Sequence, residues 1–420
     1  MKIIIIGGGF GGVNLALGLA GNKSYEVTLV DRNNYNFFPP LIYQVATAFL
    51  EPTSISYPFR KLFYGKANLH FRLGTLKEVM AAENKIILED GELSYDYLVF
   101  ATGAETSYFG MENVRKNAIP MKTLNDAVEM RNTLLQQMEE AAIAPNDVKD
   151  KYLTIVIAGG GPTGVEVSGM FAEMKTIIYK EYPELAGLDT KIYLVDGGKA
   201  LLKPMSDASQ QYAYNTLTRL GVTVKLGVHV KDYTGDMVYL DNGEVIESKT
   251  LIWAAGVSAK KFEGIPDSCY SASKRMMVDE FNHVSGTANI YAIGDTCMQT
   301  TDKNYPGGHP QVAQVAIQQG KTLAKNFTLM AKGLTMQPFK YFDKGSMAII
   351  GKTKAVADLP KPKIHFSGFV AWLMWLFIHL VSLIKHRNRA KTFYNWMVAY
   401  FTGDQSLRMI IRPSSTKTGN

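Results

Sequence analysis

The 420-residue sequence predicts an α/β protein built from two Rossmann-like dinucleotide-binding domains and a C-terminal membrane-anchoring α-helical segment. Three observations predict it. A β-branched run, a glycine cluster, an acidic strand end and a small-residue strand end occur twice, from Lys2 to Gly103 and from Thr154 to Gly256. They read IIIIGGGFGG, VTLVDR and YLVFATG, then TIVIAGGGPTG, IYLVDGG and LIWAAG. The spans agree, 96 residues from Gly7 to Gly103 and 97 from Gly159 to Gly256. Next, 46% hydrophobic and 20% charged residues describe a globular chain, long enough for two to three domains. Last, the whole basic excess and three of the four tryptophans fall in residues 361–420.

Each copy of the repeat carries G-x-G-x-x-G, as Gly7, Gly9 and Gly12 and as Gly159, Gly161 and Gly164. Each follows an apolar β-run and opens a helical pattern, the context that a dinucleotide fingerprint requires. The first glycine makes the tight turn, the second lets backbone approach pyrophosphate, and the third packs helix on strand. The phosphates then meet free N–H groups at a helix N-terminus. An acid on the next strand should take the ribose hydroxyls. Asp31 lies 24 residues after Gly7, and Asp196 lies 37 after Gly159. The extra residues predict a longer helix and loop in the second copy, over 168–188. Ala101, Thr102 and Gly103 close the first copy, and Ala255 and Gly256 close the second; all five are candidate cofactor contacts.

An acid, in place of arginine, after the second motif favours NADH over NADPH. Flavin enzymes of this build hold FAD in the N-terminal copy and insert the NADH domain within it. A third FAD element should follow the insertion, and NIYAIGDTC supplies it with Asp295. An aspartate there can bond the ribityl hydroxyls. The expected division is an FAD domain over 1–120 and 258–335, an NADH domain over 121–257, and an anchoring region over 336–420.

Two cysteines, Cys269 and Cys297, form no C-x-x-C pair and no disulfide framework. No metal site is expected. Neither a signal peptide nor a transit peptide is read at the N-terminus, which suggests a prokaryotic source. Residues 361–420 hold nine Lys or Arg against Asp404, a charge of +8, while the whole chain is +7; residues 1–360 therefore carry −1. Residues 366–384 contain no Asp, Glu, Lys or Arg. Gly368, Ala371, Trp375, His379 and Ser382 share one helical face, extended by His386 and Arg389. That stripe suits a helix lying in the membrane interface, next to the basic residues of 385–391 and the aromatic run 393–401. A monotopic anchor of two helices is expected, with a membrane span and a buried core helix as the alternatives. Nucleic-acid binding is not expected, because the aromatics are clustered and not interleaved with the bases.

The match to a known family is specific. NYNFFPPLIYQVATAFLEP (34–52), the paired glycine motifs, IYAIGDTC (290–297), AQVAIQQG (313–320), SMAIIGKTKAV (346–356) and AWLMWLFIHLVSLIKHRNR (371–389) resemble the type II NADH:quinone oxidoreductases, nearly end to end. The resemblance implies hydride transfer from NADH to FAD and two electrons passed on to a membrane quinone, ubiquinone or menaquinone, without proton pumping. It makes Ala313, Gln314, Val315, Ala316, Ile317 and Gln318 the quinone-site motif. Gln314 and Gln318 are i, i+4 and share a helix face. The helix is expected to begin near Pro310, with its N-terminus and Ala313 at the flavin. Ile349 and Ile350 would line an apolar tunnel or pack in a β-core. Glu166, just past Gly164, is implied to hold substrate or feed protons near the nicotinamide. The family also implies a homodimer, bound peripherally to anionic lipid on the cytoplasmic face of the cell inner membrane. Asp196 departs from a glutamate common in relatives. Two other readings stay open: a sulfide:quinone oxidoreductase, which needs redox cysteines by the flavin, and a redox-sensing flavoprotein without turnover.

Overall fold

The computed structural model describes residues 1–402 and 407–411. Of the tail charges, Asp404, Arg412 and Lys417 lie outside the described residues. By packing, the chain forms two compact units. Unit 1 comprises residues 1–37, 56–105 and 257–344, and unit 2 comprises 38–55, 106–256 and 345–420.

Unit 1 is organised by a five-stranded parallel sheet in the order Ile290–Ala292, Tyr97–Phe100, Lys2–Ile6, Glu26–Asp31, Leu69–Leu73. The strand Lys2–Ile6 is central and pairs Ile5 with Leu29 and with Val99. Ile3 and Ile5 face a core shared with Leu15, Leu19, Leu323 and Phe327, while Ile4 and Ile6 face another with Phe100, Phe262 and Met276. Both faces are covered, which is why the strand reads as an unbroken isoleucine run and not as an alternation. The strand Ile290–Ala292, from the far end of the sequence, completes the sheet edge.

Unit 2 repeats the plan in the order Ile119–Pro120, Thr250–Trp253, Thr154–Ala158, Lys191–Asp196, Val222–Leu226. The 20-residue helix Pro162–Glu181 replaces the nine-residue helix Phe10–Gly18 of the first copy. That difference, with the turn Pro183–Leu185, accounts for the long spacing from Gly159 to Asp196.

Each copy also holds a three-stranded antiparallel sheet that periodicity had not revealed: Leu76–Met80, Lys85–Leu88 and Gly91–Ser94, and Val230–Thr234, Met237–Leu240 and Val245–Glu247. The first closes on the two-residue turn Glu89-Asp90, with Gly91 paired to Leu88, and the second turns through Asn242-Gly243; both glycines have positive φ.

The C-terminal part of unit 2 is a meander, Ser346–Gly351, Lys354–Pro360 and Lys363–Ser367, followed by helices Gly368–Ser382 and His386–Thr402. The meander packs on the helix Pro162–Glu181 so closely that a Cβ on Gly169 would stand 1.7 Å from the Ile350 carbonyl oxygen.

Candidate active site

The glycines of the two copies do the same three things. Gly7 and Gly159 turn at φ +102° and +113°, and a Cβ on either would stand 2.5 Å from the carbonyl oxygen of Ala101 or Ala254. Gly12 and Gly164 press helix on strand: a Cβ would lie 1.9 Å from the Gly7 oxygen and 1.8 Å from the Gly159 oxygen. Gly9 and Gly161 have nothing within 4 Å of a Cβ position. The middle glycine of each loop therefore borders open space where a pyrophosphate can reach backbone N–H groups.

The acids are placed alike. Asp31 Oδ2 accepts the Gly8 N–H at 2.6 Å, and Oδ1 accepts that of Asn33 at 2.7 Å. Asp196 Oδ2 accepts the Gly160 N–H at 2.5 Å, and Oδ1 accepts that of Gly198 at 2.6 Å. Each oxygen keeps a second lone pair for a ribose hydroxyl. Burial pushes the Asp31 carboxyl up, against the opposing pull of those backbone donors. Both cradles fit a dinucleotide, and the first fits the adenosine and pyrophosphate of FAD.

In unit 1 the third element joins the first cradle. Thr102 Oγ1 donates to Thr296 Oγ1 at 3.2 Å, beside Asp295, whose carbonyl accepts the Gln311 amide at 3.0 Å. The helix Ala313–Met330 lies against Phe10–Gly18 through glycines; a Cβ on Gly320 would come 2.5 Å from the Gly11 oxygen. This helix starts at Ala313 with Val312 as N-cap, three residues later than expected, because Pro310 and Gln311 are held in the loop. Val312 brings no side-chain cap to this N-terminus.

Gln314 and Gln318 do share a face, and that face is covered by backbone. Gln314 Oε1 accepts the Lys344 N–H at 3.0 Å. Gln318 accepts the Phe342 N–H at 3.0 Å and donates to the Phe342 carbonyl at 2.9 Å. The glutamine pair thus fixes the segment Phe342–Lys344, whose Phe342 ring is exposed.

In unit 2 the second copy ends with Ala255 and Gly256. The Gly256 carbonyl accepts the Ser107 N–H at 3.1 Å, and the Ser107 carbonyl accepts the Trp253 indole at 2.7 Å. Glu166, on the helix Pro162–Glu181, is buried. Burial raises its carboxyl to about 8, against the Ile349 N–H and the facing Trp375 indole, which favour the charged form. Trp375 Nε1 faces the carboxyl off the line of a good hydrogen bond. The carboxyl is therefore placed to carry a proton near neutrality. Ile349 and Ile350 are buried in the strand Ser346–Gly351, which settles them as β-core. Trp375 itself is stacked on His379 with centroids 3.9 Å apart and meets Tyr43 edge-on at 6.3 Å. Trp396 Nε1 donates to Gln44 Oε1 at 2.8 Å, and the Gln44 amide donates to the Tyr43 hydroxyl at 2.9 Å. Trp375, His379 and Tyr43 escaped sequence reasoning as site residues; their only signal was their place in segments resembling the family.

The helix Gly368–Ser382 turns Ala371, Trp372 and Trp375 inward and leaves Phe369, Val370, Leu373, Phe377 and Val381 exposed. Ser382, read on the same helical face as Ala371 and Trp375, is exposed. Among the described residues no helix is long and apolar enough to cross a membrane. Two of the expected lipid-facing cations are used within unit 2: Lys391 pairs with Glu51, and Arg389 Nε donates to the Leu383 carbonyl at 2.9 Å. Cys269 and Cys297 are free and buried, and burial raises both thiols, Cys297 to about 12.

Comparison with known proteins agrees with this geometry. Residues 1–320 match the pyridine nucleotide-disulphide oxidoreductase family, and 344–405 match the NDH2 C-terminal domain. The chain is 33% identical to the type II NADH:quinone oxidoreductase Ndh of Mycobacterium tuberculosis, over 96% of this chain and 88% of the relative. It is 29% identical to an internal alternative NAD(P)H-ubiquinone oxidoreductase of Arabidopsis thaliana, over 96% and 84%. The fold matches that of NDH2 from Plasmodium falciparum, solved with NADH, at a TM-score of 0.90 and 24% identity, covering 98% of this chain and 99% of that one. A sulfide:quinone oxidoreductase from Aquifex aeolicus shares the fold less closely, at 0.73 and 19%, covering 98% and 96%. Two glycine cradles, the Asp295 element and an NDH2 C-terminal domain in one chain place this protein in the family of type II NADH:quinone oxidoreductases.

Proposed function

We propose that the chain is a membrane-associated NADH:quinone oxidoreductase in which the N-terminal cradle holds FAD and the second cradle receives NADH. The observation that carries this reading is the pairing of two open glycine cradles with an absence of reactive thiols: both cysteines are buried and their thiols raised. A thiol relay, which a sulfide-oxidising or disulfide-reducing relative needs, has no residue to run on. When bound, FAD supplies hydride acceptance from NADH and two-electron delivery to quinone.

The chain's own residues bind, orient and manage protons. The Gly9 and Gly161 loops present N–H groups to pyrophosphate, and Asp31 and Asp196 accept ribose hydroxyls. Asp295 serves the ribityl hydroxyls, and the helix N-terminus at Ala313 would offer its dipole to the reduced flavin. Gln314 and Gln318 serve the quinone step by fixing Phe342–Lys344. Glu166 supplies a proton. The exposed apolar face of Gly368–Ser382 lies on anionic lipid at the cytoplasmic face of the inner membrane, with Lys385 and Arg387 beside it, and electron transfer drives no proton pump. Homodimerisation rests on the family resemblance, and light scattering of detergent-solubilised protein measures it.

Paired variants test the assignment of the cradles. Gly9→Val should give folded protein without bound flavin, and Gly161→Val should give flavin-loaded protein that NADH no longer bleaches. The reverse pattern would overturn the assignment.

A further inference from the structure

His229 is not used by anything above, yet it stands beside the ribose acid of the second cradle. The strand Lys191–Asp196 pairs with Val222–Leu226, bringing Asp196 opposite Leu226. The following turns are tied together: the Val228 N–H donates to the Asp196 carbonyl at 3.2 Å, and that of Gly227 to the Gly198 carbonyl at 2.9 Å. This delivers His229 onto Gly197, the residue directly after Asp196. A Cβ on Gly197 would lie 1.8 Å from His229 Nε2, so that nitrogen occupies the space a side chain would have filled.

The ring is held in one orientation. Its Nδ1 lies 2.9 Å from Asp241 Oδ2, and the His229 N–H donates to Asp241 Oδ1 at 3.0 Å. The Asp241 N–H in turn donates to the His229 carbonyl at 3.0 Å. With a proton on Nδ1 toward the carboxylate, the neutral ring would offer the lone pair of Nε2. No group among the described residues bonds Nε2, and the side chain is 69% exposed. Two backbone bonds already join these segments, so the staple does not need the imidazole.

In a Rossmann cradle the acid ending the second strand takes the adenosine ribose hydroxyls, and the residues just after it border the 2′ position. We infer that His229, oriented by Asp241, is a positioning and specificity residue for the adenosine ribose of NADH, its Nε2 accepting the 2′-hydroxyl beside Asp196. A 2′-phosphate would face the Asp196 carboxylate there, which disfavours NADPH. The inference rests on the reading that the second cradle receives NADH.

The test measures ADP-ribose binding by calorimetry and steady-state kinetics of the flavin-loaded protein with NADH and with reduced nicotinamide mononucleotide, which lacks the adenosine. His229→Ala should weaken ADP-ribose and raise the KM for NADH by roughly five- to tenfold, the weight of one hydrogen bond, with kcat held. The efficiency ratio of NADH to the mononucleotide should fall by the same factor. His229→Asn retains a partner for Asp241 without reaching the Nε2 position, and should behave like His229→Ala. Full rescue by His229→Asn would show that only the staple matters and would overturn the inference, as would unchanged ADP-ribose affinity or an equal loss with both donors. Gly161→Val separates the two levels. If it leaves ADP-ribose binding intact, the cradle assignment itself is wrong; if it abolishes binding while His229→Ala changes nothing, only the role of His229 falls.

Discussion

Both ends of the Gln318 amide are bonded to one residue, Phe342, whose N–H it accepts and whose carbonyl it reaches. The pair imitates a step of β-ladder between a helix side chain and a passing strand. A glutamine that the family pattern links to quinone is thereby shown to organise backbone, and we propose that its effect on quinone runs through Phe342–Lys344.

Gln318→Ala should cost about 1–2 kcal/mol of stability, two hydrogen bonds at about 1 kcal/mol each. Quinone-dependent turnover should slow by about tenfold, a barrier change of about 1.4 kcal/mol. Bleaching of the flavin by NADH in stopped flow should be intact. Equal loss of both half-reactions would mean that the glutamine serves the flavin or the whole unit.

Glu166 gives a pH prediction. Its folded carboxyl is raised to about 8, against about 4.5 in the unfolded chain. The folded state thus keeps a proton that the unfolded state releases, and this contribution to stability, complete below about 4.5, is lost as pH rises through about 8. Glu166→Gln, an uncharged isostere, should flatten the fall of Tm over that window and leave the protein more stable than wild type at the alkaline end. Parallel Tm curves for the two proteins would refute a protonated Glu166.

His379 gives the opposite sign. Burial holds its imidazole down to about 4, from 6.5, against the Trp375 carbonyl that its Nδ1 meets at 2.8 Å. The unfolded chain takes up a proton that the folded ring refuses, so stability is full above about 6.5 and is lost as pH falls toward 4. His379→Phe retains the stack on Trp375 and should lessen this acid sensitivity, read as Tm between those limits. An unchanged acid limb would place the sensitivity elsewhere.

The tail that we propose as the anchor is also core. Trp375 and Trp396 are buried in unit 2, so deleting residues 361–420 should yield aggregated protein. The exposed face can be altered without touching the core. Leu373→Ser with Phe377→Ser should leave the unfolding free energy within about 1 kcal/mol of wild type, since surface substitutions are mild. The same pair should cut binding to anionic vesicles by at least about tenfold, given about 1.5–3 kcal/mol for each apolar side chain buried. Undiminished flotation with vesicles would refute this face as the membrane contact.

Much of this was legible because the repeat is written in residue types with single physical meanings. Gly7, Gly9 and Gly12 each have a separate geometric duty, and Gly159, Gly161 and Gly164 repeat them, so spacing alone fixed two cradles and their acids. The small antiparallel sheets were also written, in LEDGEL and LDNGEV, where Gly91 and Gly243 each stand 84 residues after Gly7 and Gly159. That short turn signal went unread beside the longer strand runs. The partners of Gln318 and Glu166 were not legible. A helix face shows that two glutamines point together, but not that Phe342 runs beneath them. Likewise Ile349 and Trp375 lie far from Glu166 in sequence, and only tertiary packing brings them to the carboxyl. Nor does the charge count show that Lys391 pairs with Glu51 and that Arg389 bonds the Leu383 carbonyl.

The most direct test of the central claim is steady-state oxidation by a short-chain quinone, with NADH, NADPH and sulfide offered in turn to the detergent-solubilised, flavin-loaded protein. NADH should support turnover, NADPH should do so far less well, and sulfide should give none. Absence of turnover with NADH, or turnover that depends on sulfide, would contradict it.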